Sequence, residues 1–269
     1  MSVFELNDGR RIPPLGFGTF RLPAGRQTRV AVLTALAAGY RHIDTATVYG
    51  NERDVGVAIR ESGIPRDEVW VTTKLWNSDH NEPLAALETS LAKLGLDRVD
   101  LWLMHWPTSQ RLKSWDLMVE ARDSGLAASI GVSNFLAPHL TELFRHSAVV
   151  PAVNQIELSP FLLGTRADTV RLCQERGVII EAYSPLTKGA RLNHPALVRI
   201  ADRLGVSTAQ VLLRWCLQHG FVALPRSSKP DRIRTNIDLG GFALTEADVQ
   251  TLDALDEGLT TGWDPSSVS

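Results

Sequence analysis

Four side chains in the first half of the chain are of the types that move protons. Each stands at or just past a short apolar run. Asp44 closes His42-Ile43-Asp44, Tyr49 follows in Thr47-Val48-Tyr49-Gly50, Lys74 closes Val69–Lys74, and His105 follows Val99–Met104. A phenol titrates near pH ~10 in water, so unaided it is a poor proton donor at neutral pH. A neighbouring ammonium favours the phenolate and lowers that value, a role open to Lys74. A lysine withdrawn from water is costly unless paired, and Asp44 offers the carboxylate. An imidazole at position 105 can donate or relay a hydrogen bond to the same oxygen. Together the four would protonate an oxygen that gains negative charge, as a carbonyl oxygen does when its carbon is attacked. Taken singly, each has a plainer reading: a helix cap for Asp44, a solvated strand end for Lys74, a satisfied core histidine for His105. Their recurrence at consecutive run ends favours a site.

The elements that would position them alternate along the chain. Short apolar runs fall at Leu15–Thr19, His42–Asp44, Val69–Lys74, Val99–Met104, Ala128–Val132, Ala152–Ile156, Val178–Ala182 and Val222–Leu224. Helical segments are read at Thr28–Ala38, Asn51–Ser62, Leu84–Leu94, Leu112–Asp123, Pro138–Arg145, Ala167–Arg176, Pro195–Leu204 and Ala209–His219. Several end at a glycine suited to the left-handed C-cap, and Asn51 and Ser207 are candidate N-caps. Strands alternating with helices mean an α/β fold. A length of 269 residues suits one (β/α)8 TIM barrel spanning residues 1–269, a fold of roughly 250 residues whose strand C-termini share one rim. Before it, Asp8-Gly9 between two short strand-like runs predicts a hairpin with a tight primed turn. A doubly wound sheet is the rival fold. Gly16-Phe17-Gly18 is half of a dinucleotide fingerprint, but position 21 is Arg21. Close backbone approach is the better reading of those glycines.

At these residues the sequence resembles the aldo-keto reductase superfamily. The resemblance is carried by Gly39-Tyr40-Arg41-His42-Ile43-Asp44-Thr45-Ala46, Tyr49-Gly50-Asn51-Glu52, Thr72-Thr73-Lys74-Leu75-Trp76, His105-Trp106-Pro107, Ile130-Gly131-Val132-Ser133-Asn134-Phe135, Asn154-Gln155-Ile156-Glu157 and Ala182-Tyr183-Ser184-Pro185-Leu186, in family order. The compact length is similar to that of the bacterial 2,5-diketo-D-gluconate reductase-like members. The resemblance implies a barrel whose base an N-terminal hairpin closes. It implies NADPH-dependent reduction of aldehydes or ketones, with Tyr49 protonating the oxygen, Lys74 and Asp44 tuning Tyr49, and His105 orienting the carbonyl. By the same resemblance Ser133, Asn134 and Gln155 bind the nicotinamide carboxamide, and Tyr183 stacks on the ring beside Ser184, Pro185 and Leu186. Arg226, Ser227 and Arg232 hold the adenosine 2′-phosphate, near Asn236. An arginine fork suits a phosphate, and a helix start near Asp231 adds backbone donors. Two positions depart from many relatives, which have lysine where Arg226 stands and glutamate where Thr235 stands. Phe20, Trp76 and Trp106 fall at pocket-lining positions, Trp263 is expected to fold over the mouth, and the short segment Thr108–Arg111 implies an open, permissive pocket. Without the resemblance, helix capping would explain Ser133 or Asn134, core packing Tyr183, and a solvated basic loop the stretch around Arg226.

Three other function classes stay in view. A Schiff-base lyase would use Lys74 as a free amine. A binding protein would hold NADPH with little turnover. A metal hydrolase is the weakest, because no HExxH motif occurs and His42 and Asp44 are assigned to opposite faces of their strand. Lys plus Arg is 28 and Asp plus Glu 30, a net charge of −2, unlike a basic nucleic-acid binder. Hydrophobic residues make up 44% and charged residues 22%, within the globular range. No apolar stretch reaches the roughly 20 residues of a membrane helix, and the N-terminus lacks a secretory pattern. Cys173 and Cys216 form no CxxC pair and read as buried hydrophobes in a reducing cytoplasm. The expected partner is a small-molecule carbonyl, with no metal, nucleic acid or membrane, and the expected state is a monomer.

Overall fold

The computed structural model describes residues 3–265. Strands β1 (Phe4–Glu5) and β2 (Arg11–Ile12) form an antiparallel hairpin. Eight parallel strands follow: β3 (Phe17–Gly18), β4 (His42–Asp44), β5 (Trp70–Leu75), β6 (Val99–Met104), β7 (Ala127–Ser133), β8 (Val153–Glu157), β9 (Ile179–Tyr183) and β10 (Val222–Leu224), paired in chain order. A bridge between Leu15 and Ala223 closes the ring. Gly16 N–H donates to the Ala223 carbonyl and Ala223 N–H to that of Pro14. The fold is the (β/α)8 TIM barrel. Helices α1 (Arg26–Ala37), α2 (Glu52–Glu61), α3 (Pro83–Leu94), α4 (Arg111–Asp123), α5 (Ala137–His146), α6 (Ala167–Glu175), α7 (Pro195–Leu204) and α8 (Thr208–Gln218) match the expected segments to within two residues. Two more, α9 (Pro230–Ile237) and α10 (Glu246–Asp253), lie beyond them. Only the start of α9 was expected.

Alternation along the strands sorts the side chains. Ile43, Val71, Trp102, Val132, Ile156 and Ala182 point outward and join the main apolar core under the helices. Inside, a smaller apolar cluster of Trp70, Leu101, Leu103, Val153 and Val222 packs against Leu6 and Ile12 of the hairpin. The hairpin therefore plugs the N-terminal end of the barrel. Burying each of those two side chains contributes about 1.5–3 kcal/mol. Its turn differs from the expected one. Leu6 N–H donates to Arg10 O and Gly9 N–H to Leu6 O, and in the loop Asn7-Asp8-Gly9 only Gly9 has a positive φ, 81°. This is a three-residue loop with a left-handed glycine, the alternative that an Asp-Gly pair equally permits.

Gly16 does serve close approach: a Cβ there would lie 2.5 Å from Leu224 Cδ2 and 2.7 Å from His42 Nδ1. Gly18 has ordinary room. Ser207 caps α8 in a reciprocal box with Gln210. Asn51 makes no side-chain cap. Its amide instead donates to the carbonyls of Thr19 and Leu22 and accepts from Thr45 Oγ1, tying the loop after β3 to the loop after β4. Among the described residues no helix is long and apolar enough to cross a membrane.

Candidate active site

The strand register sets the polar floor of the mouth. Asp44 pairs with Thr72, so Lys74, two residues on along β5, points the same way just above it. Lys74 is fully buried, and its Nζ donates to Asp44 Oδ1 at 2.7 Å, Asp44 Oδ2 at 2.8 Å and the Thr45 carbonyl at 2.8 Å. Its contact with Tyr49 Oη is longer, 3.5 Å, and Nζ also lies 5.0 Å from the phenol ring centroid. Tyr49 sits on a single 3-10 turn, Thr47–Tyr49, which left-handed Gly50 ends. Thr47 Oγ1 donates to the Lys74 carbonyl and pins that turn to the end of β5. His105 lies one residue beyond β6, with its ring edge-on to Tyr49 (5.8 Å) and Trp76 (5.1 Å). All four expected catalytic residues thus meet at the C-terminal mouth. Lys74 is clamped by three oxygens and is not the free amine a Schiff base needs.

The electrostatics correct one expectation. Lys74 was to draw Tyr49 toward phenolate. Burial instead pushes the phenol well above its ordinary value of 10, and the negative charge of Asp44 adds to this. The ammonium is already committed to Asp44, so its pull on the phenol is offset. Tyr49 is a neutral donor. Burial, followed by the positive charge of Lys74, holds His105 well below 6.5. Its Nδ1 is buried without a partner. The neutral tautomer with hydrogen on Nε2 leaves no buried N–H orphaned, and it makes His105 a donor too.

Below the pair the barrel interior stays polar. His42 and Asp44 both face inward: residues two apart on a strand share a face, which overturns the opposite-face assignment. His42 Nε2 lies 3.1 Å from Thr72 Oγ1 and 3.7 Å from Glu181 Oε1. Burial and Lys74 push His42 down to about 3, against the Pro13 carbonyl, so the ring is neutral at pH 7. Gln155 reaches across the barrel from β8, with Nε2 donating to Asp44 Oδ2 at 2.9 Å and Glu181 Oε2 at 2.8 Å. Sequence reasoning missed Glu181. A lone carboxylate in the run Val178–Ala182 was its only signal.

The rim carries a second polar chain. Ser133 Oγ donates to the Gln155 carbonyl, Asn134 Nδ2 donates to Ser133 Oγ and the His105 carbonyl, and Tyr183 Oη donates to Asn134 Oδ1 at 2.8 Å. Neither Ser133 nor Asn134 caps α5, whose N-cap is Leu136. Ser184, with φ 49°, turns the chain after β9 into Pro185 and Leu186. Around α9, Arg226 and Arg232 are exposed, while Ser227 and Asn236 are buried. Arg226 donates to the Arg21 carbonyl. Arg232 has no ion pair among the described residues. The walls are aromatic. Phe20 lies 5.0 Å from the Tyr49 ring, and Trp106 lies 5.8 Å from Trp263. Trp263 reaches the mouth because Glu157, at the end of β8, accepts from Thr261 N–H and Oγ1 and from Gly262 N–H, while Lys188 bonds the Thr261 carbonyl. Sequence reasoning gave Glu157 no role.

A nicotinamide dinucleotide fits these residues. Both hydrogens of Gln155 Nε2 go to Asp44 and Glu181, which leaves Oε1 as the atom a carboxamide –NH2 can bond to. Exposed Arg232 in the first turn of α9, and exposed Arg226 ahead of it, suit a phosphate. The family model described as "Aldo/keto reductase family" matches residues 14–257. A 9,11-endoperoxide prostaglandin H2 reductase of Trypanosoma cruzi is 44% identical over 99% of this chain and 95% of its own. A glyoxal reductase of Bacillus subtilis is 40% identical over 99% and 97%. An aldo-keto reductase from Bombyx mori, solved in complex with NADP, is 38% identical with a TM-score of 0.90, covering 96% of this chain and 94% of its own.

Proposed function

Because the chain belongs to the aldo/keto reductase family, we propose that it is an NADPH-dependent reductase of small aldehydes, ketones or keto-sugars, with Tyr49 as the general acid. The observation that carries this reading is the Asp44–Lys74–Tyr49–His105 cluster at the mouth: two neutral donors above a buried ion pair. When bound, NADPH supplies the hydride. Ser133, Asn134, Gln155 and Tyr183 hold its nicotinamide end, flanked by Ser184, Pro185 and Leu186. Arg226, Ser227, Arg232 and Asn236 hold its adenosine 2′-phosphate end. The substrate oxygen lies between Tyr49 Oη and His105 Nε2, walled by Phe20, Trp76 and Trp106. Both groups donate hydrogen bonds to it, and their hold strengthens as it becomes an alkoxide. Tyr49 then passes its proton to that oxygen. The Lys74 ammonium, 3.5 Å away, balances the phenolate left behind.

The enzyme acts as a single-domain cytoplasmic monomer on this reading. A 2,5-diketo-D-gluconate-like keto-sugar and a glyoxal-like dicarbonyl are the first substrates to try. The test is loss of reduced-nicotinamide absorbance over a carbonyl panel, with NADPH beside NADH. Tyr49→Phe should lose on the order of 10²–10⁴ in turnover yet keep NADPH binding. Its melting should hardly change, because among the described residues the hydroxyl makes one long bond. Near-normal turnover in that variant would remove the assignment.

A further inference from the structure

We propose that Glu181 is a positioning residue of this site: it clamps the Gln155 amide so that only Oε1 faces the cofactor's carboxamide. This rests on the reductase reading above. Gln155 and Glu181 are register partners on β8 and β9, so their side chains stand together on the inner face. Gln155 has two amide hydrogens, and one goes to Asp44 Oδ2 and the other to Glu181 Oε2. Glu181 is completely buried, so no water competes for the bond. The flipped amide would set its carbonyl oxygen against Asp44, which is held by Lys74 and has no hydrogen to give. Two acceptors below therefore leave one acceptor above. An upward-facing Oε1 suits the –NH2 of a carboxamide and repels a carboxylate.

Two carboxyl groups around one amide would ordinarily repel. Here burial, with the charge of Asp44, pushes Glu181 up to about 8, against the Gln155 bond and Lys74. Below that pH Glu181 is a neutral acid whose oxygen still accepts. Its other oxygen, Oε1, faces His42 Nε2 at 3.7 Å and has no hydrogen-bond partner among the described residues. Without Glu181 one Gln155 N–H would be buried and unpaired, and the amide, held by Asp44 alone, would swing about that single bond and lose the fixed aim of Oε1.

The experiment compares binding of NADP+ and of adenosine 2′,5′-bisphosphate, which keeps the phosphate end and lacks the nicotinamide, by titration calorimetry. The variants are Glu181→Met, with no acceptor, and Glu181→Gln, which restores one. Glu181→Met should weaken NADP+ about tenfold, or roughly 1.4 kcal/mol, and leave the bisphosphate unchanged. Glu181→Gln should recover most of the loss. Adding Glu181→Met to Gln155→Met should cost nothing further. If the methionine variant does not fold, Glu181→Val carries the same prediction. Unchanged NADP+ binding, equal weakening of both ligands, or no rescue by glutamine would each overturn the clamp. Wild-type protein that binds neither ligand would overturn the reductase reading itself, and the clamp with it.

Discussion

Lys74→Met isolates the ion pair beneath the candidate acid. Lys74 is fully buried, Asp44 is only 4% exposed, and Nζ makes three bonds between 2.7 and 2.8 Å. Among the described residues, the variant leaves the enclosed Asp44 carboxylate one remaining side-chain donor, Gln155. Removing one partner of a buried pair costs about 3–5 kcal/mol, mostly from the charge left behind. At roughly 2–4 °C per kcal/mol for a chain near this size, melting should fall by roughly 10 °C. Removing both partners, in Lys74→Met/Asp44→Asn, should return most of that, because no unpaired charge is left. Urea unfolding followed by tryptophan fluorescence at pH 7, with Asp44→Asn alone as the fourth species, closes the cycle, and the coupling is the change in the double variant less the sum of the two single changes. A single variant within about 1 kcal/mol of wild type, or a double variant no better than the single, would refute the argument.

Arg232→Ala should weaken NADPH by about ten- to a hundredfold, the worth of a charge-assisted bond, and leave NADH unchanged. Equal weakening in a binding titration would refute the phosphate role. Gly16→Ala should cost about 1–3 kcal/mol from overpacking, since its Cβ would meet Leu224 and His42 at under 3 Å. An unchanged urea midpoint would contradict this. Glu181→Gln should change the pH dependence of stability. The folded chain holds the Glu181 proton up to about 8, whereas the ordinary value is 4.5. Between those values the unfolded chain has lost a proton that the folded chain keeps, so this group lowers stability as pH rises, by about 1.4 kcal/mol per unit. The glutamine variant should therefore gain on wild type from pH 5 to pH 8, and a constant difference in melting would count against it.

The strands were legible because each is a short apolar run, and their number matched a closed barrel. The hairpin was legible but its turn was not, since Asp8-Gly9 serves a two-residue loop and a three-residue loop equally well. Helix α10 escaped because it is eight residues long with a weak apolar stripe, although Thr245 and Asp248 form a capping box. The four residues at the mouth were readable from their places at run ends. The electrostatic sign at Tyr49 was not, because desolvation depends on what surrounds the ring after folding. Glu181 was hidden for a related reason: its partners come from β8 and β4, far away in sequence, and only the ring brings them together.

The aromatic walls and the proton-handling groups hang on different parts of the molecule. Asp44, Lys74, Gln155 and Glu181 project from barrel strands, while Phe20, Trp76, Trp106 and Trp263 all lie in segments after strands or near the chain end. If the proposed reading holds, a heritable change at a wall residue alters what the mouth admits and leaves the hydrogen bonds of the interior network in place, and a change inside disturbs the reaction for every substrate at once. Divergence in diet is thus cheap for this molecule and divergence in chemistry is not.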